Sequence, residues 1–281
     1  MLKKKHGMEK EKYSKAAIIV LVILIIWSLF PVYWTWNTSL KSQKEIYSMT
    51  PTLIPMKASL DSYRKLIFGE NFLKSVWNSV VVAVAVTAVS IAVSVFAAYA
   101  FARVKFKGRG AWNTSILYAY LMPRSIMFIP LCVLITNIGL KDKLSGLMVM
   151  YPTFTVPYAV WMITSYFRSI PKELEEAAEI DGCTKWQSMF RIVFPLASPG
   201  IAATAIFCFT LCWSEYQYAL VSITKSDLQT ITLTLSNMVV ADVYAWGPLM
   251  AGSIVATLPV LLMYTAMSKY LVSGLTVGAV K

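Results

Sequence analysis

The chain has 281 residues, of which 57% are apolar and only 14% charged, with a formal net charge of +12. A soluble domain carries about a quarter charged residues, so this composition excludes an ordinary soluble fold. The basic residues flank apolar runs instead of gathering on one soluble face, which argues against nucleic-acid binding and for anchoring in a bilayer with an anionic inner surface.

The chain opens on "MLKKKHGMEKEKYSK", a basic stretch with the charge of a signal-peptide start. The apolar run behind it is long for a signal and lacks a small-residue cleavage pattern, so it is expected to stay as a membrane span. A helix needs about 20 mostly apolar residues to cross the hydrocarbon core. Six runs qualify, at residues 16–36, 76–102, 112–138, 147–167, 199–223 and 247–271. The fold class predicted is an all-α polytopic membrane protein with six transmembrane helices. The short alternating segments of a transmembrane barrel do not occur. Around this six-span block of 16–271, residues 1–15 and 272–281 are expected to be tails.

Lys and Arg set the orientation. With the N-terminus inside, sixteen fall in inner segments and nine in outer ones, while Arg124 lies within the third run. Both termini are therefore expected in the cytoplasm. Trp27, Trp34, Trp36, Trp213 and Trp246 suit interfacial belts. In the long outer loop, "TPTLIP" will not continue a helix.

This orientation places residues 168–198 inside. Pro171 suits a first helical turn, and Glu173, Glu175 and Glu176 follow near the positive end of the helix dipole. Gly182 is a natural C-terminal stop. Thr184 and Gln187 have capping-box spacing. Trp186, Met189, Phe190 and Val193 then form an apolar stripe, which Pro195 and Pro199 are expected to end. The prediction is helix, glycine elbow, short helix. Ala177 and Ala178 leave the first helix a thin surface against which a partner backbone can approach, and the carboxylates supply charge for basic partner groups. The alternative is an amphipathic pair lying on the membrane, although an anionic leaflet repels the acidic front.

"EEAAEIDG" followed by "FRIVFPLASPG" resembles the EAA loop of permease subunits in bacterial ABC importers. More specifically, the chain resembles the carbohydrate-uptake, maltose-type branch. Further matches are "NSVVVAV" from Asn78, "AYAFARVKFKGRG" from Ala98, "VPYAVWMITSYFRSIPKELEEAAEIDG" from Val156, "WSEYQYALVSI" from Trp213, "LQTITLTL" from Leu228 and "VSGLTVGAVK" from Val272. The resemblance covers residues 16–281 and implies the type I importer permease fold in the bacterial cytoplasmic membrane. It also implies a sister permease, two ATP-binding subunits, an extracytoplasmic solute-binding protein and a sugar substrate. By position, Glu176, Ala177, Ala178, Asp181 and Gly182 would form the ATPase-coupling face. The tail with Gly274 and Gly278 would reach the ATPases.

No GxxxxGK[ST] phosphate loop occurs, so ATP and Mg are expected in the partner ATPases, with no cofactor, catalytic residue or metal site in this chain. The cysteines, Cys132, Cys183, Cys208 and Cys212, make no metal pattern and are expected to pack inertly.

Substrate-path candidates are Arg124, Asn78, Glu215 and Tyr218. Arg124 either lines a cavity or snorkels to the outer interface. Glu215 sits near the outer rim, where a solvated carboxylate is the simpler expectation. Trp213, Tyr216 and Tyr218 around it are rings on which a sugar could stack or that anchor at the interface. Asn237 is a further polar candidate. A permease for a polyol, glycerol phosphate or amino acid is the alternative function. A secondary transporter would need acidic or histidine residues deep in the spans, and an embedded enzyme would need a His, Asp or Cys cluster. The single histidine is His6.

Overall fold

The computed structural model describes residues 15–69, 71–240 and 243–277, with side chains left aside at 16, 240, 243, 244 and 267–277. Among the described residues, five helices are long and apolar enough to cross a membrane, and a bent pair can complete a sixth span. They form two compact units, one comprising the chain up to Lys65 with Ala245–Ile254, the other Leu66–Tyr244 with the chain from Val255.

The first unit begins with α1 (Lys15–Ser39), whose residues 17–33 are exposed along their whole length. α2 (Gln43–Ile46) is capped by Ser42, whose hydroxyl accepts from the Glu45 amide. The stretch after it holds no helix, as Pro51 and Pro55 dictate. Its backbone groups find partners instead in side chains: Asn37 Nδ2 and Tyr33 Oη donate to Leu53 O, Lys41 Nζ donates to Thr52 O, and Glu45 Oε1 accepts from Thr52 Oγ1 and the Met56 amide.

In the second unit, α3 (Asp61–Phe68), which starts in the first, leads to α4 (Phe72–Arg103). α4 packs with α8 (Pro152–Ser169) and α11 (Phe194–Trp213). Lipid tails are as apolar as leucine, so membrane helices associate through close packing and small residues. That device is visible here. Ala98, Ala102, Ala159 and Ala197 are fully or almost fully buried in the core with Ile163, Phe167 and Val193. Ser90 and Thr155 hydroxyls bond across α4 and α8 at 2.6 Å. A Cβ on Gly200 would lie 2.3–2.5 Å from three atoms of the Tyr166 ring. Overpacking of this kind costs about 1–3 kcal/mol. Gly200→Ala is therefore expected to lower the thermal unfolding midpoint of the detergent-purified protein, and adding Tyr166→Ala should recover part of the loss.

Two expectations about the spans are corrected. The third is not one rod: α5 (Arg109–Leu121) and α6 (Arg124–Asn137) meet at 94° across Met122 and Pro123. The residue before a proline is held in the extended region, and Met122 has ψ 128°. The second helix predicted within residues 168–198 is not a separate helix ended by prolines. α10 (Lys185–Ser188) runs through a π-helical turn (Met189–Val193) into α11, making a continuous 29-residue helix from Lys185 to Trp213. The wider turn comes just before Pro195, whose ring would otherwise press on the carbonyl four residues back. Membrane helices tolerate such prolines because the freed groups are satisfied locally. The fifth span consequently begins and ends earlier than predicted. α12 (Gln217–Ser222) follows as its own short helix after a break at residues 214–216.

α7 (Leu144–Met150) precedes α8, and α13 (Ile231–Ser236) follows α12. Val239–Val240 (β1) pairs antiparallel with Val243–Tyr244 (β2), and α14 (Trp246–Val277) closes the chain. Trp213 Nε1 donates to Ala256 O at 3.0 Å, tying the fifth span to α14.

Candidate functional site

The segment between α8 and α11 carries α9 (Glu173–Ile180), with three glutamates in its first turn. Its end is built as the sequence predicts. Gly182 has φ +90°, its amide donates to Glu179 O, and the Cys183 amide donates to Ala178 O at 2.9 Å. These are the paired bonds of a Schellman stop. The capping box follows: Thr184 Oγ1 accepts from the Gln187 amide and Gln187 Oε1 from the Thr184 amide.

The helix has two faces. Glu175 and Ala178 are buried, each 7% exposed, whereas Glu173, Glu176, Ala177 and Ile180 are exposed, the last at 87%. Ala178 thus faces the protein and is removed from the outward surface predicted for it. An i, i+3 pair shares one side of a helix, so burying 175 and 178 leaves 176, 177 and 180 outside. Asp181 and Gly182 are also exposed. Behind the helix, Glu175 pairs with Arg103 Nε and accepts from Tyr99 Oη at 3.0 Å, while Arg103 Nη2 donates to Ile170 O at 2.9 Å. The sequence treats Arg103 only as an inner positive charge, and nothing in the local pattern points to this partner. Of the apolar stripe, Met189 and Val193 are fully buried. Trp186 and Phe190 are exposed and meet the Phe96 ring edge-on.

The second cluster lies where the fifth span breaks. Glu215 is only 7% exposed, so the solvated rim carboxylate is not what the structure holds. Its Oε2 accepts from Tyr151 Oη at 2.8 Å and from the Ala219 amide, and its Oε1 accepts from the Tyr218 amide at 2.8 Å. The carboxylate therefore satisfies free N–H groups at the start of α12, where helices leave donors unpaired. Tyr218 is buried, with its hydroxyl 3.4 Å from Arg124 O. Arg124 is exposed at the start of α6, its guanidinium 5.1 Å from the Phe154 ring centre. Asn78 stands apart from these groups. Both of its amide protons are taken, by Asp227 O and Gln229 O, so it fixes the segment ahead of α13 and offers no donor to a path. Asn237 Nδ2 donates to Gln229 Oε1. Asp142, unmarked in the sequence, accepts from the Thr224 amide and hydroxyl and the Lys225 amide, which hold its carboxyl below the ordinary range. It clamps the loop after α6 to the chain beyond α12. Among the described residues no group of three His, Cys, Asp or Glu could hold a metal. Gly274 lies in the last turn of α14, and Gly278 lies outside the described residues.

The apolar helices and their small-residue core are those of a multi-pass membrane protein. Residues 90–277 match the family model described as "Binding-protein-dependent transport system inner membrane component", and the chain belongs to that family. It is 36% identical over 265 residues to the inner membrane ABC transporter permease protein YcjP of Escherichia coli, covering 93% of this chain and 94% of that protein. It is 30% identical over 263 residues to the diacetylchitobiose uptake system permease protein DasC of Streptomyces coelicolor, covering 94% and 95%. Among solved structures, it resembles a bacterial ABC transporter involved in importing the acidic polysaccharide alginate, with a TM-score of 0.77 at 21% identity. That likeness covers 92% of this chain and 98% of the other, and it concerns the fold.

Proposed function

We propose that this chain is a permease subunit of an ATP-driven, binding-protein-dependent carbohydrate importer in the bacterial cytoplasmic membrane, with both termini in the cytoplasm. It forms one half of the translocation path with a sister permease. Two separate ATPases, which bind ATP and Mg, dock on the inner loop of this chain and of its sister. The chain itself performs no hydrolysis. Support for a sugar comes from relatives such as the diacetylchitobiose permease. Support for docking comes from one observation above all: α9 presents Glu176, Ala177 and Ile180 outward while Glu175 and Ala178 hold it from behind. An exposed apolar residue between carboxylates fits a protein partner better than water or an anionic leaflet. Gly182 and Asp181 lie at the edge of that face. On this reading Glu215 and Tyr218 hold the outer break of the fifth span, and Arg124, exposed beside the Phe154 ring, is placed to meet the path or the sister subunit.

Coupling of this sort needs contacts that differ between two states of the spans. The test is uptake of a labelled oligosaccharide into proteoliposomes holding this chain, its sister, the ATPase and the binding protein. Uptake that requires both ATP and the binding protein is expected. Uptake that runs without ATP and collapses with a protonophore would make the chain an ion-coupled carrier and end the proposal.

A further inference from the structure

We infer that the buried pair of Glu175 and Arg103, with the Tyr99 hydroxyl, is the brace through which movement of α9 reaches α4 and α8, beside the direct path through α10 into α11. The inference rests on the proposal that α9 is the ATPase foot, and names the residues that make the foot rigid. Three elements meet at this one network. Arg103 ends α4, Tyr99 lies one turn earlier on the same side, and Ile170 is the C-cap just past α8. Arg103 joins α9 through Glu175 and α8 through Ile170 O, and Tyr99 Oη reaches the second carboxylate oxygen. The Tyr99 ring also meets Phe167 of α8 edge-on at 6.3 Å.

The helix has few other holds. In α9 only Glu175 and Ala178 are buried, and alanine offers one methyl group. Both charged side chains are below a tenth exposed. Stability alone is a poor reason for such a pair, because well-packed apolar residues of similar volume usually serve as well or better. What an ion pair with two further hydrogen bonds supplies is one fixed geometry. Without the pair, α9 would keep Ala178, its chain ends and its packing on α10 and the π turn, so a partner could still grip it, yet its movement would lack this tie to α4 and α8. Glu175 is thus a positioning residue, distinct from the outward Glu176.

The experiment uses the assembled complex of both permeases, the ATPases and the binding protein, with Glu175→Gln as the first variant. The amide keeps the shape and loses the charge. Expected are ordinary membrane abundance, ordinary copurification of the ATPase and ordinary basal hydrolysis. Sugar uptake, and the stimulation of hydrolysis by sugar-loaded binding protein, should both fall by about tenfold or more, within the range typical of coupling between sites. Wild-type uptake and stimulation would overturn the brace. So would loss of the ATPase on purification, which would make the pair a support for docking only. If Glu175→Gln does not accumulate, Arg103→Lys decides by the same two readouts, since lysine keeps the charge but cannot reach Glu175 and Ile170 O together. Failure of the underlying reading shows differently: Glu176→Lys would then leave ATPase capture and uptake untouched, whatever Glu175→Gln does.

Discussion

Glu176→Lys is expected to abolish ATP-driven uptake while the protein remains in the membrane at its normal level. Glu176 is exposed on α9, opposite the buried Glu175 and Ala178. Substitutions at such surface positions change folding by about 0.5 kcal/mol or less. At a docked interface the same change sets a lysine where the partner expects a carboxylate, and juxtaposed like charges cost several kcal/mol. Each step of about 1.4 kcal/mol is tenfold in affinity, so the complex should fall apart at working concentrations. Gly182→Asp should act alongside it for a different reason. Gly182 has φ +90° with open space around its missing Cβ, so any side chain there is strained although nothing obstructs it. A left-handed backbone costs a non-glycine residue about 1–2 kcal/mol, and the elbow would turn elsewhere. Uptake measured at equal membrane abundance checks both variants.

Glu215→Ala should be the most damaging single change to the fold outside the packed core. It removes the acceptor of the Tyr151 hydroxyl and of the Tyr218 and Ala219 amides. Each buried donor left unpaired costs about 1–3 kcal/mol, so the loss should reach at least about 3 kcal/mol. For a chain of this size that corresponds to a drop of about 5 °C or more in the unfolding midpoint. Glu215→Gln should lose much less. Its amide oxygen can still accept from the start of α12, and its NH2 can donate to the Tyr151 oxygen once that hydroxyl turns. Thermal unfolding of the two variants in detergent separates the cases. Equal behaviour of Ala and Gln would mean that the carboxylate does not cap α12.

What the sequence disclosed and what it hid divide along the range of the interactions. The spans were legible because a bilayer forces backbone groups to pair within each apolar run. The stop at Gly182 and the box at Thr184 were legible because both are closed by residues within a few positions. The continuity from Lys185 to Trp213 was not. Pro195 reads locally as a break, and only the π turn and the surrounding core show how the helix absorbs it. The right-angled third span was hidden because hydropathy records length and not direction. Glu215 read as a rim charge because its hydroxyl partner, Tyr151, stands 64 residues earlier in the chain. The inward turn of Glu175 depended likewise on Arg103, 72 residues away. Ala178 followed it inward for the same reason, one helical turn on.

The outward face of α9 is expected to carry a motor protein. A photo-crosslinking residue placed at Ile180, in the complex solubilised from the host membrane, tests it most directly. Ile180 is fully available on that face, and the substitution leaves the Glu175 brace in place. A covalent adduct with the ATP-binding subunit is expected, with a yield that changes when ATP is added. Adducts with lipid alone, unchanged by ATP, would contradict it.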